Sequence, residues 1–222
     1  MLLLGTVMKS AIRIFNTRSS TRRTTPNTVN GTVLPQRVKN VRRRLREYLT
    51  VKEVTKLIDA ARERGRYGHR DATAILIAYR HGLRVSELCA LRWDQVAFER
   101  GLLHVRRVKS GTPSMHPLGG AELRSLRRLL REQPDSRHVF LTERQSPMST
   151  AGFRKMLART GEGSEFPFPV HPHMLRHACG YKLANDGQDT RALQHYLGHK
   201  NIQHTVRYTE LSPERFKSFW ED

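Results

Sequence analysis

"HPHMLRHACGYKLANDG", residues 171–187, gathers His173, Arg176 and His177 within five residues at the head of a segment with helical spacing. At about 100° per residue these three share one face with Gly180 and Ala184, while Met174, Leu175, Ala178, Cys179 and Leu183 fill the other and can dock on a core. Such a concentration of potential positive charge repels itself. A helix N-terminus adds a positive dipole and free N–H groups, so the turn reads as a place for an anion. The small residues on the same face would let a ligand come close. For an isolated H-x-x-R-H a solvated basic face is the better reading, so the remainder of the chain has to decide.

Composition narrows the choice of anion. The chain has 222 residues, enough for one good-sized domain plus an extension, with 40 Lys+Arg against 20 Asp+Glu and a net charge of +20. That imbalance is the electrostatic footprint of a nucleic-acid partner, since each phosphate contact releases counterions. A solvated basic surface or a ribosomal-type protein would share it. The only two cysteines, Cys89 and Cys179, fall in apolar helical patterns and read as core thiols in a reducing compartment. No stretch approaches the roughly 20 apolar residues of a membrane span. The opening "MLLLG" is too short for a signal-peptide core, and residues 9–46, although transit-peptide-like in lacking acids, run into "VRRRLREY" without an amphipathic pattern. The expectation is a soluble cytoplasmic, nucleoid-associated protein with no membrane partner.

The chain divides near Tyr48. Residues 1–48 hold 11 Lys/Arg and one Glu together with turn-prone pieces such as "TTPNTVNG", a composition that predicts a flexible basic arm; residues 49–222 form the ordered domain. "TVKEVTKLIDAARERG" predicts a helix with Thr50 and Glu53 at capping-box spacing and Gly65 as its stop. "DATAILIAYRHG" predicts a buried helix with Asp71 as a cap, and "LRVSELCALRW" a third that opens at Arg84. Residues 96–118 turn β-prone: "VAF", "LLHVRRV" and "SMHPL", separated by "ERG" and "KSGTP", predict a small antiparallel meander. Helical patterns return from "AELRSLRRLLREQ", interrupted by a candidate strand at "HVFLT". The fold class is mainly α with a small antiparallel β-sheet.

Two downstream features favour a functional site over a bare basic face. "DTRALQHYLGHK" reads as a capped helix stopped by Gly198, with His199 on the turn beyond it. "NIQHTVRYTELSPERF" sets Tyr208 just ahead of Ser212-Pro213, the expected start of a last helix, where the tyrosine would be semi-exposed.

The order "HGLRVSEL", Lys109 beside a tight turn, "HPHMLRH", "YLGHKN", "TVRYT" resembles the tyrosine recombinase (phage integrase) family over about residues 49–220. "HPHMLRHACG", "YLGHKNIQHTVRYT" and "SMHPL" look most like the short recombinases that invert fimbrial promoter segments. The resemblance implies a tyrosine recombinase catalytic-domain fold, with Arg84, Lys109, His173, Arg176, His199 and Tyr208 as the catalytic set. Each role has a chemical rationale. Phosphodiester exchange must neutralise charge on the non-bridging oxygens, which suits the fork-shaped, always charged guanidiniums of Arg84 and Arg176. His173 and His199 would add hydrogen bonds that strengthen in the transition state. Tyr208 would attack phosphorus, leaving a 3′-phosphotyrosyl link and a free 5′-hydroxyl, and Lys109 would protonate the departing 5′-oxygen. No metal, no ATP and no other cofactor is implied.

Glu87 reads as a partner that orients Arg84, and His177 stays outside the set as a neighbour or a solvent-facing residue. His195 with His199 hints at zinc, but Gly198 breaks the helix between them and no Cys ligand is near. Family members commonly carry a further helical domain ahead of the catalytic one. Here 48 residues precede it, so the arm, a partner protein or DNA-bending accessory proteins would have to complete the grip on double-stranded DNA. The implied working form is a homotetramer on synapsed sites that inverts, integrates or excises a segment. A type IB topoisomerase-like relaxing enzyme shares the chemistry, and a catalytically silent DNA-binding protein is the rival from another class.

Overall fold

The computed structural model describes residues 46–107 and 112–210; residues 1–45 of the expected arm, Lys109 and Ser212-Pro213 lie outside them. Helix α1, Val51–Glu63, opens with the expected capping box: Glu53 N donates to Thr50 Oγ1 at 3.3 Å and Thr50 N donates to the Glu53 carboxylate at 2.7 Å. It buries Val54, Leu57 and Ala61 against α2, Gly68–Arg80. Asp71 does not cap α2, because the helix begins three residues earlier; it sits in the first turn, paired with Arg70 at 2.7 Å. Ala74, Ile75 and Ile77 are wholly buried, and α2 is the central rod on which α1, α4 and α6 pack.

Helix α3, Val85–Cys89, is shorter than the sequence predicts and has Arg84 as its N-cap residue. After a 3-10 turn at Trp93–Gln95 come β1 (Val96–Ala97), β2 (Leu102–Val105) and β3 (Ser114–Pro117), an antiparallel meander in the order β1-β2-β3 with Leu103 opposite His116. Helix α4, Gly120–Glu132, follows. "HVFLT" does not form a strand. Val139, Phe140 and Leu141 are buried, but the segment makes only isolated bridges, Arg92 to His138 and Leu141 to Pro147. Proline has no N–H to extend a ladder, so the apolar run serves as core filler.

The remaining helices are α5 (Thr150–Gly163), α6 (Pro172–Asn185), α7 (Thr190–Leu197) and α8 (Gln203–Thr209). Proline at the first position of α6 fits a helix start, where its missing N–H costs nothing. Asp189 caps α7 by accepting from Arg191 N and Ala192 N, and Gly198 ends it at φ +63°. Most buried residues form one large core. A smaller cluster of Cys179, Ala184, Leu193, Leu197 and Tyr208 joins α6, α7 and α8. Cys89 and Cys179 are buried free thiols. Among the described residues, no helix is long and apolar enough to cross a membrane.

Candidate active site

Arg84 stands where the chain enters α3, its backbone N–H bonded to the Glu87 carboxylate at 2.9 Å and its guanidinium to the other Glu87 oxygen at 2.8 Å. The expected orienting role of Glu87 therefore has a geometric basis. The Glu87 side chain is only 2% exposed, whereas Arg84 keeps 32% of its surface open. Burial alone would raise the Glu87 carboxyl. The Arg84 N–H and the Arg107 and Arg84 guanidiniums outweigh it and hold the group below the usual carboxylate range.

Arg176 lies on the buried side of α6. Its guanidinium donates to the carbonyl of Gly82, two residues before Arg84, and to the carbonyl of Leu197, two residues before His199, the latter at 2.6 Å. One side chain thus joins the Arg84 loop to the His199 turn. Burial, then the positive charges of Arg84 and Arg107, bring the Arg176 pKa down to about 10. Such crowded cations raise the local potential and favour an arriving anion. His199 shares a 2.9 Å hydrogen bond with Thr205 on α8. Burial and then Arg176 and Arg84 push its pKa down to about 3, so the ring is neutral at physiological pH.

Tyr208 is not semi-exposed. It is 2% exposed on α8, with its ring turned onto α6. The small residue that was expected to admit a ligand admits this ring instead: a Cβ added at Gly180 would stand 2.8–2.9 Å from three Tyr208 ring atoms. The phenolic oxygen shares a 2.8 Å hydrogen bond with His177 Nδ1, and the His199 ring stacks at 6.2 Å between centroids. Burial raises the Tyr208 hydroxyl to about 12, against the pull of Arg176 and Arg207. Burial, then the charges of His173, Arg207 and Arg176, take His177 down to about 3. His173 is exposed at the head of α6, its ring 4.8 Å from that of His177.

His173 and Arg84 also line one cleft of about 590 Å³ together with Arg154 of α5, His171 and Pro172. Five of the six expected residues are thus linked by contacts or a shared cleft, and Lys109 lies outside the described residues. Among those residues, no group of three His, Cys, Asp or Glu is arranged to hold a metal ion.

Two residues packed beside the site lie outside the expected set. His177 was set aside, although its position four residues after His173 puts both on one helical face. Arg107 is buried behind Glu87, bonded to its carboxylate at 2.9 Å. The strand period could have found it, since Leu103, Val105 and Arg107 alternate inward with His104 and Arg106 outward.

The sequence profile of the phage integrase family matches residues 47–215. The type 1 fimbriae regulatory protein FimE of Escherichia coli (strain K12) is 41% identical over 182 residues, covering 79% of this chain and 91% of that protein. The crystal structure of XerA recombinase superposes with a TM-score of 0.69 at 24% identity, over 79% of this chain and 65% of that one. The Tn1549 transposon integrase in complex with transposon right end DNA gives a TM-score of 0.63 at 23% identity, over 72% of this chain and 60% of that one. At these identities the two solved structures speak to the fold.

Proposed function

The chain belongs to the phage integrase family, and from that premise we propose that it is a site-specific DNA recombinase that cuts and rejoins double-stranded DNA through a 3′-phosphotyrosyl intermediate. The resemblance of its motifs to the short recombinases that invert fimbrial promoter segments, together with similarity to a type 1 fimbriae regulatory protein along 91% of that protein's length, favours inversion of a segment as the outcome. The observation that carries the reading is the Arg176 tie: it gathers the Arg84 loop and the His199 turn beside a tyrosine already in contact with His199.

In the proposed step the Tyr208 oxygen attacks phosphorus, the bond from phosphorus to the 5′-oxygen breaks, and Lys109 gives a proton to that oxygen. The phenol must lose its own proton as well; its oxygen shares the 2.8 Å bond with His177 Nδ1 only in the packed state, and because Tyr208 leaves that bond to reach the phosphate, the proton passes to water there. Arg84 and Arg176 neutralise the non-bridging oxygens, with His173 and His199 as hydrogen-bonding partners. Arg154 on the same cleft wall is suited to a neighbouring phosphate. Water then has no part in resealing: a 5′-hydroxyl attacks the phosphotyrosyl bond and restores the phosphodiester.

With only 2% of its surface open, Tyr208 has to swing out from α6 before its oxygen can meet a phosphate, so assembly on DNA and cutting are coupled. Reciprocal exchange between two duplexes cuts four strands, one tyrosine each, which calls for a homotetramer on synapsed sites. The basic arm and DNA-bending proteins would add grip through phosphate contacts. The test is a nicked suicide substrate carrying the inverted repeats, resolved on a denaturing gel. The native chain should form a covalent adduct, and Tyr208→Phe should bind the same DNA and form none; an adduct with the Phe variant would remove Tyr208 from its role.

A further inference from the structure

Two residues beyond the end of β2, on the way to Lys109, the chain carries a buried cation. The Arg107 side chain has 0% exposure, so it cannot touch DNA in this arrangement. One guanidinium nitrogen donates to Glu87 at 2.9 Å and the other to the carbonyl of Tyr196 on α7. Its Nε is buried without a partner among the described residues, pressed against the turn after α7. A Cβ at Gly198 would stand 2.7 Å from that Nε. Burying a guanidinium is costly even when it is paired, and an apolar residue of similar volume commonly serves packing as well or better. The arrangement therefore calls for a reason other than packing.

We propose that Arg107 is a positioning residue for the phosphate clamp: it shares the Glu87 carboxylate with Arg84 and braces the turn that carries His199. This rests on the recombinase reading above. The electrostatics follow from counting charges. Glu87 supplies one negative charge to two guanidiniums, Arg84 at 2.8 Å and Arg107 at 2.9 Å. With Arg107 present, one full positive charge is left over, and Arg84 is the partner open to the cleft. Without Arg107, the carboxylate would be paired with Arg84 alone, and the Arg84 side of the clamp would be close to neutral. Arg107 thus keeps Arg84 oriented by Glu87 without letting Glu87 cancel it. The bond to the Tyr196 carbonyl and the contact with Gly198 fix the other side of the site, three residues and one residue before His199. Lysine would not replace it, since a single ammonium lacks the fork that spans both partners.

The experiment measures single-turnover cleavage of two suicide substrates, one normal and one with a methylphosphonate at the scissile position. The methyl group replaces a charged non-bridging oxygen, so the reaction depends less on a positive clamp. Arg107→Met should slow cleavage of normal DNA on the order of 10²-fold, in the range for losing one oriented charge partner. On methylphosphonate the deficit should shrink to within about tenfold, as it should for Arg84→Ala. Arg107→Lys should fall between, with the same shrinkage. Adding Glu87→Gln to Arg107→Met should recover part of the rate, because it removes the carboxylate that quenches Arg84. Thermal melting and DNA affinity are measured alongside. If Arg107→Met does not fold, Arg107→Lys and the Met/Gln double variant, which leaves no unpaired buried charge, carry the comparison. Equal slowing on both substrates, with strictly additive losses in the double variant, would reduce Arg107 to a packing residue and overturn the proposal while the recombinase reading stands. Absence of any adduct with the native chain would overturn both.

Discussion

His177 and Tyr208 each occupy a buried place that suits only the other. A phenolic O–H shut away from water needs an acceptor, and leaving it without one costs about 1–3 kcal/mol. His177→Phe keeps a ring beside Tyr208 and removes that acceptor, so it should lower stability by about that amount. Tyr208→Phe removes the hydroxyl, and in a His177→Phe, Tyr208→Phe double variant the penalties should fail to add, with a coupling on the order of 1 kcal/mol by urea denaturation. Additive losses would mean that the 2.8 Å bond contributes nothing to the folded state. At this scale the sequence is most informative where chemistry demands a residue type. Arg84, His173, Arg176, His199 and Tyr208 stand out because their order along the chain resembles that of the tyrosine recombinase family, and their side chains suit phosphoryl transfer. Arg107 does not stand out: in a chain with 40 Lys+Arg one more arginine carries no signal until its burial is known.

Several helices are legible for local reasons, although α8 is not: the sequence reading sets Tyr208 ahead of a last helix, whereas it lies within Gln203–Thr209. Thr50 with Glu53, Asp189 with Gly198, and Pro172 are start and stop signals whose physics lies within a turn of the residue itself. Where an element depends on a distant neighbour, the reading erred. "HVFLT" has strand composition, but Pro147 opposite it cannot sustain a ladder. Gly180 was read as room for a ligand because nothing in the sequence of α6 says that α8 lies there. That packing yields its own prediction. Gly180→Ala favours the helix by about 1 kcal/mol of propensity, yet its methyl group would meet the Tyr208 ring at 2.8 Å. The ring has to shift, so near-ultraviolet circular dichroism should change and adduct formation should alter while far-ultraviolet helicity holds. An unchanged near-ultraviolet spectrum with unaltered cleavage would show that the ring does not rest on Gly180.

Across the molecule, three wholly or partly buried histidines make the fold acid-sensitive. His116, His177 and His199 are each depressed to about 3, in every case by burial first and neighbouring cations or histidines second. In the unfolded chain they return to about 6.5. Between those values the unfolded state binds the extra protons, so stability is complete above about pH 6.5 and is lost as pH falls toward 3. Each histidine adds a slope approaching about 1.4 kcal/mol per pH unit inside that window. The urea midpoint should accordingly drop steadily from pH 7 to pH 5; a flat profile would show that these rings are not held neutral by the fold. The net charge of +20 was legible at once, but which histidines the core would enclose was not.

The Arg176 tie also bears on when a newly made chain becomes dangerous to a genome. Its two carbonyl partners lie 94 residues earlier and 21 residues later in the sequence. On the proposed reading the basic stretch of residues 1–47, with its 11 Lys/Arg, would attract DNA before the domain that follows it is made. The proposed cutting centre would come later, because Arg176 lacks its second anchor until translation has passed Leu197, and the proposed nucleophile arrives only with Tyr208. A product interrupted before that point would then hold DNA without the means to break it.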